Sequence, residues 1–416
     1  MKELLFSFAT LVCILMGACN SPVEKSSSTK TMADQSGFKK GVFGYDLYFL
    51  KQYHKDLVLL EDESSGSKVI VAPAYQGRVM TSTADGDQGI SFGWVNHEKI
   101  ASGKFEGHMN VYGGEERFWL GPEGGQFSIY FKRGVEFTFD NWFVPKEFDT
   151  EAFTLISSTK SEARFEKEMH LENYSGTTFD LKVNRNIRLL NNGSIDSSLG
   201  VVLPKSIQKV GFESANIITN HGNKTWEKHS GLLSIWILSM LNITDKTTIV
   251  VPFRQGDSSK LGKIVTDDYF GKVPGDRLQI KNGFMLLKAD SKLRSKIGLS
   301  PLRAKPLIGS YDAINNVLTI AQFSLQEGKT DYVNSLWKIQ DKPYRGDAVN
   351  AYNDGPVNGK QLGRFYELES SSPAAALAPG GSISHLHRTI HLKGSKEDLG
   401  KVAFTLFGVG LEDITL

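Results

Sequence analysis

The chain has 416 residues, with 48 Lys and Arg against 46 Asp and Glu, a net charge of +2. The charges are well mixed and form no basic block or stripe, which argues against a nucleic-acid partner. Aromatic residues make up 11% and there are 41 glycines, a composition that suits a large all-β protein with many short strands and turns.

The first residues read as a targeting segment. Met1-Lys2 is a short positive start, Leu4–Leu15 is apolar but too short to span a bilayer, and Met16-Gly17-Ala18 precede Cys19. The end of this signal resembles a bacterial lipobox, which implies cleavage after residue 18 and a lipid on Cys19. Plain signal cleavage beside an incidental cysteine is the alternative. Cys13 leaves with the signal and Cys19 carries lipid, so the remaining domain holds no thiol. Disulfides, cysteine nucleophiles and thiolate metal sites are thereby excluded. Residues 19–36 are rich in Ser, Thr and Lys and read as a flexible tether. No acidic run follows Cys19, which leans toward a periplasm-facing protein in the cell envelope. Residues 37–416 show no linker and no fixed-period repeat, and read as one domain.

Tyr45–Lys55 has the spacing of an amphipathic helix. Leu57–Leu60 and Lys68–Pro73 read as a hairpin around Ser64-Ser65-Gly66-Ser67, followed by Ala74–Thr83 with a bulge or turn at Gly77. Residues 107–126 are dense in glycine around Glu115, Glu116, Arg117, Trp119 and Glu123. That pattern reads as a polar pocket wall, or equally as a tight turn whose carboxylates pair with Arg117. Phe127–Phe131, Glu136–Phe139, Ala163–Met169 and Asn186–Leu190 alternate like strands, and Ser234–Leu238 is apolar throughout, as in a central strand. Asn191-Asn192-Gly193 reads as a turn. Lys296-Ile297-Gly298-Leu299 leads into strand-like runs at Leu307–Tyr311 and Val317–Ser324. Tyr332–Trp337 and Val402–Phe407 are strand-like as well. Gly346–Pro356 is a second polar, glycine-bounded segment containing Tyr352, Asn353 and Asp354.

The densest chemistry lies in Phe365-Tyr366-Glu367-Leu368-Glu369 and His385-Leu386-His387-Arg388-Thr389-Ile390-His391, read as two strands. Period-two alternation puts Glu367 and Glu369 on one face of the first, and His385, His387 and His391 on one face of the second. If the strands are neighbours, carboxylates and imidazoles meet. Three readings stay open. His385, His387 and Glu369 could hold a divalent metal. The same groups could do metal-free acid–base work. Or the histidines bond neighbouring strands, with the glutamates paired to Arg364 or Arg388. Pro379-Gly380-Gly381 before His385-Leu386-His387 also resembles the first motif of cupins, although His391 stands where that motif expects Glu. No phosphate-binding loop, dinucleotide fingerprint, Gly-x-Ser-x-Gly elbow or His-Glu-x-x-His is present.

The Val69–Thr83 hairpin, the Gly113-Gly114…Trp119…Pro122-Glu123 segment and Glu367-x-Glu369…Leu377-x-Pro379-Gly380 together resemble the galactose-mutarotase-like superfamily. The whole chain resembles an uncharacterised lipoprotein family of Bacteroidota in that superfamily. The resemblance implies a large antiparallel β-supersandwich over about residues 40–410, with a concave surface facing carbohydrate and no required cofactor. The histidine segment of aldose 1-epimerases is absent, so no epimerase catalytic residue is carried over. The expected site then has Glu115, Glu123, Glu369, His385 and His387 moving protons. Arg117 fixes a carboxylate or hydroxyl, and Trp119, Tyr352, Asn353 and Asp354 contact the sugar. Glu367–His391 would form one wall of the cleft and Gly113–Gln126 the other. A non-catalytic carbohydrate-binding or scaffold lipoprotein is the competing expectation. The oligomeric state is not legible. If Cys19 carries the lipid, Cys19→Ser leaves the protein in the soluble fraction while wild type sediments with membranes; equal fractionation of the two contradicts the anchor.

Overall fold

The computed structural model describes residues 37–416, so the signal, Cys13, Cys19 and the tether lie outside the described residues. In chain order the strands are β1 (Val58–Asp62), β2 (Ser67–Ala72), β3 (Arg78–Thr83), β4 (Arg117–Gly121), β5 (Thr154–Ser158), β6 (Glu162–Glu172), β7 (Thr178–Leu189), β8 (Gln208–Asn220) and β9 (Ser234–Leu238). They continue with β10 (Leu241–Asn242), β11 (Thr247–Pro252), β12 (Leu278–Ile280), β13 (Phe284–Ala289), β14 (Ser295–Leu299), β15 (Leu307–Asp312), β16 (Val317–Phe323), β17 (Val349–Asn353), β18 (Phe365–Ser371) and β19 (Ser382–Lys393). Helices are few and short, with the longest at Phe43–Tyr53 and Lys396–Phe407. Among the described residues no helix is long and apolar enough to cross a membrane.

The strands form two large antiparallel sheets and one small one. The ten-stranded sheet runs β12-β13-β11-β15-β16-β19-β8-β7-β6-β5, and the six-stranded sheet runs β14-β17-β18-β9-β4 with β10 also on β18. A three-stranded sheet, β1-β2-β3, is tied to the segment before β4 by the Val79–Glu116 bridge. The expected all-β supersandwich is the fold. Its core lies between the two large sheets. Ile297, Leu299, Val349, Ala351, Tyr366 and Leu368 from the six-stranded sheet pack on Ile249, Val251, Met285, Ile308, Ala321 and Phe323 from the other. Phe118, Leu120, Ile235 and Ile237 do the same against Phe165, Phe179, Val183 and Phe212. Each such side chain, once buried, contributes roughly 1.5–3 kcal/mol.

The outer face of the ten-stranded sheet is covered by helices. Lys396–Phe407 lays Leu399, Val402, Ala403 and Phe407 on Leu318, Ile320, Ile390 and Leu392. Sequence alternation suggested a strand here, and the helical signals outweigh it. Ser395 caps the backbone N–H of Asp398, Glu397 and Asp398 occupy the first turn, and Gly408 ends the helix at φ 74°. Gly309 lets this helix close on the sheet, since a Cβ there would lie 2.4 Å from the Phe407 ring.

Asn191 likewise caps the helix Asn192–Leu199 by accepting from the Ser194 N–H at 2.8 Å, so this stretch starts a helix rather than making a hairpin turn. Phe127–Phe131, Glu136–Phe139 and Tyr332–Trp337 contain no strand. Their aromatic side chains pack on one another, as in Phe131–Phe137, Phe131–Trp337 and Tyr130–Trp142. They form loops that cover the outer face of the six-stranded sheet.

Candidate functional site on the outer face of the six-stranded sheet

Strand alternation gives this sheet two chemically different faces. On β18, Tyr366, Leu368 and Ser370 point into the sandwich, so Glu367 and Glu369 point out. The register carries that assignment across the sheet. Tyr352 stands opposite Glu367 and Asn350 opposite Glu369 on β17, while Lys296 and Gly298 of β14 stand opposite Tyr352 and Asn350. On the other side Ser371 pairs with Trp236 of β9, and Trp236 with Trp119 of β4. Arg117, two residues before Trp119, shares that face.

These outward side chains bond to one another. Arg117 Nη2 donates to Glu367 Oε1 at 2.6 Å, and its guanidinium lies 4.9 Å from the Trp119 ring. Lys296 Nζ and Trp236 Nε1 both donate to Glu369 Oε2, at 2.8 and 2.9 Å. Lys296 also sits 4.9 Å from the Trp236 ring, and Trp236 meets Trp119 edge to face at 5.6 Å. Tyr352 Oη donates to Asp354 Oδ1 at 2.6 Å, while Asp354 Oδ2 accepts from the Gly363 N–H at 3.0 Å. The half-buried Glu123 lies within the fields of Lys296, Glu369 and Arg294, with the Trp337 indole as a donor. Arg294 stacks 3.8 Å over the Phe270 ring.

Little of this face meets solvent, with Glu369 at 0% and Glu367 at 5% exposure. Burial pushes Glu367 up to about 8, against the pull of Arg117. Burial also pushes Glu123 and Asp354 above the usual carboxylate range. Several buried polar atoms on the face have no hydrogen-bond partner: Glu369 Oε1, Arg117 Nε, Trp119 Nε1 and Arg294 Nε. Buried polar atoms are normally satisfied, and a polar ligand or bound water would satisfy these. A cavity of about 280 Å³ opens at the β14 end of the face, with Gly298, Tyr269 and Asp347 in its lining.

The structure thus brings Arg117, Trp119, Glu123, Tyr352, Asp354 and Glu369 together on one face. It places the other expected residues elsewhere. β18 and β19 belong to different sheets, so His385 and His387 approach β18 from within the sandwich and meet Ser370, not Glu369. Ser370 Oγ lies 2.8 Å from His385 Nε2 and 2.9 Å from His387 Nδ1. The metal set His385, His387 and Glu369 is therefore divided by the sheet itself. Among the described residues no group of three His, Cys, Asp or Glu has the arrangement of a metal site.

Glu115 is also internal. Its Oε1 bonds His391 Nε2 and the Ser82 hydroxyl, both at 2.7 Å, and Phe92 stacks on the His391 ring. Glu115, His385 and His387 belong to a buried polar ladder that ties the sheets together. That ladder extends to the fully buried Glu116–Arg185 pair at 2.7 Å. Asn353 faces away from Tyr352 and Asp354 and holds the 291–293 turn, accepting from the Ser291 N–H and donating to the Leu293 carbonyl. The Gly113–Gln126 segment is not an opposite wall. Its Arg117–Gly121 portion is a strand of the same sheet.

Lys296, Trp236, Tyr269, Arg294 and Asp347 were not singled out from the sequence. Lys296 carried a readable signal, a lone charge alternating with buried residues in Ser295–Leu299. Trp236 did not, because it sits in an unbroken apolar run whose outward face is itself covered.

The Family of unknown function (DUF6786) has a sequence profile that matches residues 41–416. The chain belongs to this family. A search of curated protein sequences returns no match. Among solved structures the chain is similar to the Slr1438 protein from Synechocystis sp. PCC 6803, at 14% identity and TM-score 0.48, covering 82% of this chain and 96% of that one. It is also similar to a putative aldose 1-epimerase from Escherichia coli K12, at 11% identity and TM-score 0.47, covering 82% and 99%. A galactose mutarotase-like protein from Lactobacillus casei ATCC 334 gives 10% identity and TM-score 0.47, covering 81% and 99%.

The internal histidines make acid stability a test of their placement. Burial lowers both His385 and His387 to about 3, with Arg185 adding to the effect on His387. An unfolded histidine titrates near 6.5. As pH falls below that value the unfolded chain gains protons that the folded chain does not, so stability is lost with acidification. Urea unfolding is expected to show about 2 kcal/mol lost per buried histidine between pH 7 and pH 5. His387→Gln should remove about one such share from the pH dependence. An unchanged dependence in that variant would contradict the buried, neutral placement.

Proposed function

We propose that the outer face of the six-stranded sheet binds carbohydrate and performs acid–base chemistry on it. Glu369 Oε1 carries this reading: a buried carboxylate oxygen without a partner, on a residue whose other oxygen is fixed by Lys296 and Trp236. A second carboxyl, Glu123, lies within its field and is held toward its protonated form by burial. Two carboxyls in unlike environments suit a proton acceptor and a proton donor. In this reading Glu369 takes a proton from a sugar carbon or hydroxyl, and Glu123 supplies one. The half-buried Trp337 supplies an apolar surface on which a sugar ring stacks, while Trp119, Trp236 and Tyr352 are buried within the face. Arg117 fixes Glu367, which keeps the charge balance of the face. The sequence resemblance to the galactose-mutarotase-like superfamily supports the same substrate class.

The protein would do this in the cell envelope, held by the lipid on Cys19. No metal enters the scheme, since the residues once expected to hold one lie on opposite sides of the sheet.

Glu369→Gln and Glu123→Gln test the proposal on a broad panel of oligosaccharides, with turnover followed by NMR and binding by calorimetry. Each variant should lose at least about 100-fold in turnover while still binding. Binding by wild type with no turnover anywhere in the panel favours the non-catalytic carbohydrate-binding protein. Absence of both binding and turnover would overturn the reading.

A further inference from the structure

The cavity of about 280 Å³ beside β14 is at the small end of pockets that hold small molecules, which run from roughly 300 Å³ upward. It lies on the same polar face as Glu369, because Gly298 in its lining stands opposite Asn350, and Asn350 opposite Glu369. Gly298 is needed there: a Cβ would lie 2.3 Å from Asp347 Oδ2 and 2.5 Å from Asn350 Nδ2.

The charges of this pocket are unequal. Lys263 and Arg345 both line it and both are exposed. Among the described residues neither forms a salt bridge, and Lys263 lies within the field of Asp347. The one carboxylate in the lining is Asp347. It is already engaged, accepting from the Tyr269 hydroxyl and from Thr266, and burial pushes it toward its neutral form. Tyr269 in turn accepts from Asn350 Nδ2 at 3.1 Å, and Lys296 lies 5.7 Å from the Tyr269 ring. The pocket therefore offers two exposed cations at its rim, a carboxyl on its floor already engaged by Tyr269 and Thr266, and the hydroxyl and amide groups of Ser300, Thr330 and Asn334. Such a set complements a polyhydroxylated unit bearing one negative group.

We infer that this pocket binds an anionic sugar unit, with Lys263 and Arg345 gripping its carboxylate or sulfate and the pocket floor taking its hydroxyls. The inference rests on the carbohydrate reading of the adjoining face and names the class of sugar that face receives. Arg345 can hold a carboxylate or sulfate by two parallel N–H donors, while Lys263 acts as a point charge.

Calorimetry with three matched oligomers tests it: oligogalacturonate, a sulfated galacto-oligosaccharide and the neutral galacto-oligosaccharide. Wild type is expected to bind at least one acidic oligomer about tenfold or more tighter than the neutral one, with the preference shrinking as salt rises. The K263A/R345A double variant should lose that preference and keep its neutral affinity within about twofold. Both positions are exposed, so folding is not at risk, and a thermal melt confirms it. The carboxylated and sulfated arms separate the two anions. Equal wild-type affinity for neutral and acidic oligomers, or an acidic preference that survives the double substitution, overturns the inference while leaving the carbohydrate reading intact. Failure of all three oligomers to bind while others of the broad panel bind overturns the inference alone, and failure of every oligosaccharide overturns both.

Discussion

Everything at the candidate site depends on the alternation of one strand. Phe365–Ser371 lies in the middle of the six-stranded sheet, with the ten-stranded sheet behind it and loops in front. A strand in that position has no solvent face on which to leave a charge. Tyr366, Leu368 and Ser370 are committed to the space between the sheets, so Glu367 and Glu369 must be satisfied on the other side. They are satisfied by cations from two different neighbours, Arg117 from β4 and Lys296 from β14. Removing Lys296 would take the cation from the buried Glu369 carboxylate, a cost of roughly 3–5 kcal/mol. The ion pairs therefore tie β18 to β4 and β14, the strands beyond its flanking partners β9 and β17.

The inner side of the same strand shows how a polar group serves stability alone. Ser370 sits between two imidazoles of the opposing sheet, and Ser324 bonds the far nitrogen of His385. Glu115, His391, Thr319 and Ser82 continue the pattern, and Arg185 joins Glu116 to Asn216. These groups bond one another across the sandwich, leaving Glu115 Oε2 and Glu116 Oε2 without a partner. On the outer side Glu369, Arg117, Trp119 and Arg294 each keep a buried polar atom without a partner, as Glu115 and Glu116 do on the inner side. What marks the outer face as a candidate site is the cavity of about 280 Å³ that opens on it, with Tyr269, Gly298 and Asp347 in its lining.

Much of the fold was legible from residue pattern alone: the all-β class, the first hairpin, the central Ser234–Leu238 strand, and the two strands that carry the glutamates and histidines. Alternation also gave which residues share a face within each strand. It could not give which strands share a sheet. Glu369 and His387 are near in sequence and lie on strands that touch, yet they point to opposite sides of β18. That distinction rests on long-range pairing, β18 with β9 and β17, β19 with β8 and β16. The helix at Lys396–Phe407 was missed because Val402–Phe407 alternates locally, while its capping residues lie earlier. Phe127–Phe131 reads as a strand because aromatic enrichment marks any buried segment, and Ile129, Tyr130 and Phe131 are buried by packing in a loop.

The outer face of the six-stranded sheet, entered beside β14, is the proposed place for a sugar. A crystal structure of the protein soaked with an acidic oligosaccharide tests this most directly. Sugar density is expected in the cavity lined by Tyr269, Gly298 and Asp347, with an anionic group near Lys263 and Arg345 and the chain leading toward Glu369. Sugar bound only elsewhere, for instance against the exposed Phe105 or Phe139, with this face unchanged, would contradict it.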